Sequence, residues 1–146
     1  MKKIIVFIPW AIALINVTCV ALNYNHLPQT IPSHFNIQGE VDGYGNKSTI
    51  FILLVLHLGI TALLNWVGNH PEQHNYPIAI TEENRALQYK LSSVLVQRLN
   101  VIIGLLFTTI SLSVMFPNFP TEIMLLELGL IFLELILHFR RIRKSK

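Results

Sequence analysis

Four stretches of the chain, residues 4–22, 49–67, 99–116 and 123–139, are almost unbroken in apolar side chains, and polar segments rich in Pro, Gly and charge separate them. Crossing roughly 30 Å of hydrocarbon takes about 20 helical residues at 1.5 Å each, so each stretch is at or near spanning length. The pattern predicts an all-α protein: an integral membrane bundle of four transmembrane helices, forming a single membrane domain over residues 1–146. Residues 23–48 form an outer loop and residues 68–98 a cytoplasmic one. Thr81 is placed to cap a helix whose first turn carries Glu82 and Glu83 against the dipole. No breaker follows before Pro117, so this third helix is expected to run about 35 residues, about 52 Å, with its first turns extended into the cytoplasm.

Composition sharpens this reading. The chain of 146 residues is 52% hydrophobic and 13% charged, against about 25% charged in soluble domains. Its net charge of +3 is too small and too localised to argue for nucleic acid. Ten of the 11 basic residues, Lys2, Lys3, Arg85, Lys90, Arg98, Arg140, Arg141, Arg143, Lys144 and Lys146, fall on one side of a four-span model, and Lys47 alone on the other. Basic residues near span ends stay inside. Both termini are therefore expected in the cytoplasm, in a multi-pass protein of the cell membrane. Lys2 and Lys3 before an apolar run also resemble the start of a signal peptide. However, no clean small-x-small site follows, and Asn16-Val17-Thr18 before Cys19 is a poor lipoprotein box. A lone cysteine gives no disulfide framework.

Polar residues inside the spans are the next feature. On the second span His57, Thr61 and Asn65 recur every four residues, and on the fourth Glu127, Glu134 and His138 share one face. The third offers Asn100, Gly104, Thr108 and Ser111, and the first Asn16 beside Ala13, small and polar contacts suited to helix packing in lipid. Twelve Leu, Ile and Phe in residues 123–139 favour insertion by about 4–7 kcal/mol, while two carboxylates oppose it by about 5–7. The fourth span should therefore enter as part of the bundle, with Glu127 paired, hydrated or protonated and His57 as the expected partner. Such a polar core, His57, Asn65, Glu127 and Glu134, either responds to protons or ligands or pins helix register.

Candidate chemistry is otherwise sparse. His70 and His74 are four apart, but Glu72 is not adjacent as in a zinc protease and Pro71 disturbs a helix there. A solvated loop, no metal and no cofactor are expected. Ser48, Ser92 and Ser93 have no base that the sequence identifies.

The outer loop is the least generic stretch. Two prolines four apart favour extended backbone, and Gly39, Gly43 and Gly45 permit tight turns. Phe35 and Tyr44 suit the headgroup level, and Asp42 and Lys47 are near enough in sequence to pair. The residues Leu27-Pro28, Ile31-Pro32, His34-Phe35-Asn36, Gly39, Asp42 and Lys47, followed after one span by Asn75-Tyr76-Pro77, Thr81-Glu82-Glu83-Asn84 and Gln88-Tyr89, resemble a bacterial membrane-domain family of undefined biochemistry. Its best-known members are SdpI-type immunity proteins, which protect a cell from a secreted killing peptide and carry further membrane segments. The resemblance covers roughly half of the chain.

It implies a non-enzymatic protein of immunity or envelope-sensing type. His34, Phe35, Asn36, Asp42 and Lys47 would contact an extracellular peptide or envelope component. The cytoplasmic motif, Asn75, Tyr76, Thr81, Glu82, Glu83 and Asn84, would pass on the response, to a cytoplasmic regulator for example. The alternative is a small transporter or proton-coupled channel subunit using the intramembrane His and Glu, which would call for a homo-oligomer because four spans leave little room for a pore. A membrane hydrolase built on His34, or on His70 and His74, is a third reading. Membrane lipid is the partner common to all three.

Overall fold

The computed structural model describes residues 2–144. Lys146, counted above among the basic residues, lies outside the described residues, as do the side chains of Lys2, Lys3 and Lys144. Four helices dominate: α1 Lys2–Asn23, α2 Ile50–Asn69, α3 Arg85–Met115 and α4 Glu122–Lys144. Three segments, Val6–His26, Lys47–Asn69 and Arg85–Met115, are long and apolar enough to cross a membrane. Helix α4 is as long, but it carries Glu127 and Glu134 mid-helix and Arg140, Arg141 and Arg143 near its end.

Burial is inverted relative to a water-soluble bundle. The inward residues of α1 are Pro9, Ala13, Asn16 and Val20, and those of α2 are Ile50, Leu54, His57, Thr61 and Gly68, spaced by threes, fours and a seven. On α3 the buried set includes Gln97, Asn100, Gly104, Thr109 and Ser111. Large apolar groups such as Phe7, Leu14, Val55, Leu126 and Phe132 point outward. With lipid as solvent there is no hydrophobic force between helices, so small residues that allow close approach and polar ones that hydrogen-bond take the interface. Helix α3 packs against all three others and α1 against α2, while the principal neighbour of α4 is α3. The bundle is thus α1, α2 and α3 around a polar seam, with α4 laid on the far side of α3.

Two expectations need correction. The fold is not purely helical, because the outer segment forms an antiparallel hairpin, β1 Thr30–Phe35 and β2 Val41–Asn46. Periodicity hid it, since Pro32 in β1 and Gly43 and Gly45 in β2 interrupt the alternation of side chains and the register shifts on both sides of His34. Helix α3 is also shorter, 31 residues from Arg85, or about 46 Å. Its entry is nevertheless built on Thr81: the Asn84 N–H donates to Thr81 Oγ1 (3.3 Å), and the Thr81 N–H donates to Asn84 Oδ1 (2.9 Å). This is a reciprocal cap with Asn in the place usually held by Glu or Gln. Residues 82–84 form the turn inside it.

Candidate functional site

The hairpin closes one end of the bundle. Ile31, 1% exposed, is its anchor, packed with Val20, Leu27, Ile50, Leu54, Val114 and Met115, and Phe35 lies against the same cluster. The turn is made by Asn36, whose Oδ1 accepts from the N–H groups of Gln38 and Glu40 (both 2.9 Å) while its Nδ2 donates to Glu40 Oε2 (2.9 Å). Gly39 has φ +82°, and a Cβ there would stand 2.6 Å from Thr121 Oγ1. The turn is therefore pressed onto the α3–α4 connection, and glycine is needed for both dihedral and space.

Of the five outer-loop candidates, the structure joins two. His34 Nδ1 hydrogen-bonds Asp42 Oδ1 across the strands, with 71% and 45% of the two side chains exposed. Gly43 permits this, because a Cβ there would lie 3.0 Å from His34 Cβ. Asp42 does not pair with Lys47: Asp42 is taken by His34, and Lys47 lies past the end of β2 in the 3-10 turn Lys47–Thr49, which carries its side chain to Tyr24. Lys47 instead donates to the Tyr24 carbonyl (3.4 Å) and sits 4.7 Å over the Tyr24 ring. Asn36 is consumed by the turn and Phe35 by the core. Tyr44 is exposed. Beneath the hairpin, His34, Phe35, Leu53, Ile110, Met124 and Leu125 line part of a groove of about 440 Å³ between the hairpin and α2, α3 and α4. The site is an exposed acid–imidazole pair at the lip of a largely apolar groove.

The intramembrane candidates do not form one cluster. Asn16 Nδ2 hydrogen-bonds His57 Nδ1 (3.0 Å), and the ring stacks on Phe107 at 5.3 Å. Asn100 Nδ2 donates to the Thr61 carbonyl (3.1 Å) in the next layer. Glu127, 7% exposed, accepts from Thr109 Oγ1 at 2.9 Å. The expected His57–Glu127 pair is absent because α3 stands between them, turning Gly104 and Phe107 to His57 and Thr109 to Glu127. Glu134 takes Arg98 Nη1 on both oxygens (3.1 and 3.2 Å). Asn65 is half-buried in the last turns of α2 and accepts from Asn69 Nδ2 at 3.3 Å.

At the opposite end, the segment after α2 is exposed along much of its length, as a solvated loop would be, but side-chain hydrogen bonds tie it down. His74 Nε2–H donates to the Val67 carbonyl (2.8 Å), so its Nδ1 accepts from Ser92, the partner that the sequence did not reveal. The Tyr76 hydroxyl donates to the Pro71 carbonyl (2.8 Å), and its ring stacks on Tyr89 at 5.7 Å. Burial pushes the Tyr76 phenol above its ordinary pKa. His70 Nδ1–H donates to the Trp66 carbonyl at 2.7 Å. Asn75, Glu82 and Glu83 remain exposed, whereas Tyr76, Thr81 and Asn84 fold the segment and start α3. Among the described residues, no group of three or more His, Cys, Asp or Glu side chains is placed to hold a metal ion.

No curated protein matches this chain, and neither does any solved structure. Residues 4–58, which carry α1, the hairpin with His34 and Asp42, and α2 as far as His57 and Leu58, match the model of a domain of unknown function, DUF1648.

Proposed function

We propose that this is a four-span membrane protein of immunity or envelope-sensing type, similar to the SdpI-type immunity proteins, whose hairpin meets an extracellular peptide or envelope component. In this reading α4 is the fourth span, both termini are cytoplasmic, and the first turns of α3 extend into the cytoplasm. The observation that carries it is the His34–Asp42 pair held at the lip of the apolar groove. A membrane-active peptide presents apolar side chains together with charge, and this site offers a complement to both. A loop of 26 residues far exceeds the roughly two to eight that join neighbouring helices in bundles. The stapled segment between α2 and α3 is the surface through which a cytoplasmic regulator would read the state of the bundle.

A proton-coupled transporter finds less support. It would need His57 and Glu127 along one path, and α3 divides them. The test is a killing assay in which cells with and without the gene are exposed to secreted peptides from neighbouring strains. Protection by the intact gene against at least one peptide is expected. Equal killing throughout, with the protein present in the membrane, would count against the immunity reading.

A further inference from the structure

A cavity of about 250 Å³ opens at the bundle end opposite the hairpin, where α1, α2 and α3 converge. One wall is a polar ladder on α3, formed by Lys90, Ser93 and Gln97 at spacings of three and four that place them on one face. The facing wall is Val6 of α1 with Gly68 and Asn69 of α2. Gln97 is 6% exposed, yet neither atom of its amide has a hydrogen-bond partner among the described residues. A buried amide costs free energy unless something satisfies it, so an unpaired one facing a cavity points to a ligand. It is also held in place: a methyl on Gly68 would come within 2.5 Å of Gln97 Nε2.

We propose that this cavity seats the phosphate of an anionic phospholipid. An ammonium, a hydroxyl and an amide N–H converge there, and no carboxylate is among the lining residues to oppose an anion. The lipid, rather than a free ion, is favoured by what surrounds the opening. Val6 leads directly onto the outward apolar face of α1 at Phe7 and Trp10, and Trp66 is exposed one turn before the end of α2. Exposed tryptophans of this kind mark headgroup depth, and a basic pocket between helices at that depth suits an anionic head group with its chains lying along the helix. The site is independent of whatever the hairpin contacts.

The test is native mass spectrometry of the full chain in a non-ionic detergent, titrated with phosphatidylglycerol, phosphatidylcholine or inorganic phosphate. Phosphatidylglycerol should be retained in preference to phosphatidylcholine, and inorganic phosphate at equal concentration should not displace it. Lys90→Gln removes the charge-assisted bonds and should weaken phosphatidylglycerol retention about tenfold. Arg85→Gln, the same charge change on the same helix but outside the cavity, should leave retention unchanged. Gln97→Glu keeps the shape of the side chain and, ionised, sets a carboxylate against the phosphate, which should lower retention; the melting temperature is read first to separate that loss from a loss of fold. Wild-type retention by both Lys90→Gln and Gln97→Glu, or an equal loss in Arg85→Gln, would overturn the proposal. Displacement by inorganic phosphate would overturn the lipid as its source.

Discussion

Glu127→Lys is expected to be nearly absent from the membrane fraction, while Glu127→Gln accumulates like the unaltered protein. The carboxylate is 7% exposed between α3 and α4, and one oxygen accepts from Thr109 while the other has no partner among the described residues. Glutamine keeps an acceptor for the Thr109 hydroxyl and removes a possible charge. Lysine offers no acceptor for Thr109 and brings an ammonium to mid-helix at a cost of about 2.5–3.5 kcal/mol, in a helix whose insertion terms already nearly cancel. A drop of at least about tenfold in membrane yield follows from that magnitude. Immunoblots of fractionated cells read it directly. Equal yields would mean that Glu127 meets water or head groups, and α4 would not be a span.

The second large effect is functional. His34→Ala combined with Asp42→Ala should abolish the protective or sensing phenotype while leaving membrane abundance within about twofold, because an exposed polar pair contributes only about 0–1 kcal/mol to stability. The hairpin is held instead by Ile31, by the Asn36 turn and by the close approach of Gly39 to Thr121. Abundance is read first, then protection. Loss of the double variant from the membrane would make the pair structural, and a fully active variant would move attention to the groove residues or to the buried polar seam.

How much of this was legible in the sequence differs by feature. The helices were, because lipid demands long apolar runs and the inward polar stripes recur at three and four. His57 and Thr61 on one face, and Glu127 with His138 on another, are buried as their spacing requires. Their partners were not legible: periodicity says which face of a helix is inward, never which helix it meets. His57 therefore faces Asn16 and Glu127 faces Thr109, with α3 between them. The hairpin was legible only as ordered, extended chain, since the irregular register around His34 removes the alternation that marks a strand. The Ser92–His74 contact joins residues 18 apart across an irregular turn, with no spacing rule to betray it.

Everything proposed for the hairpin depends on its facing outward from a membrane that the chain crosses four times. A dual-reporter topology measurement tests this most directly, with a fluorescent protein that matures only in the cytoplasm fused after Lys146 and a phosphatase active only outside inserted near Asn46. Ten basic residues on one side against Lys47 on the other require signal from both. Fluorescence and phosphatase activity together are the expected result, and silence from either reporter would contradict the four-span arrangement and the outward hairpin with it.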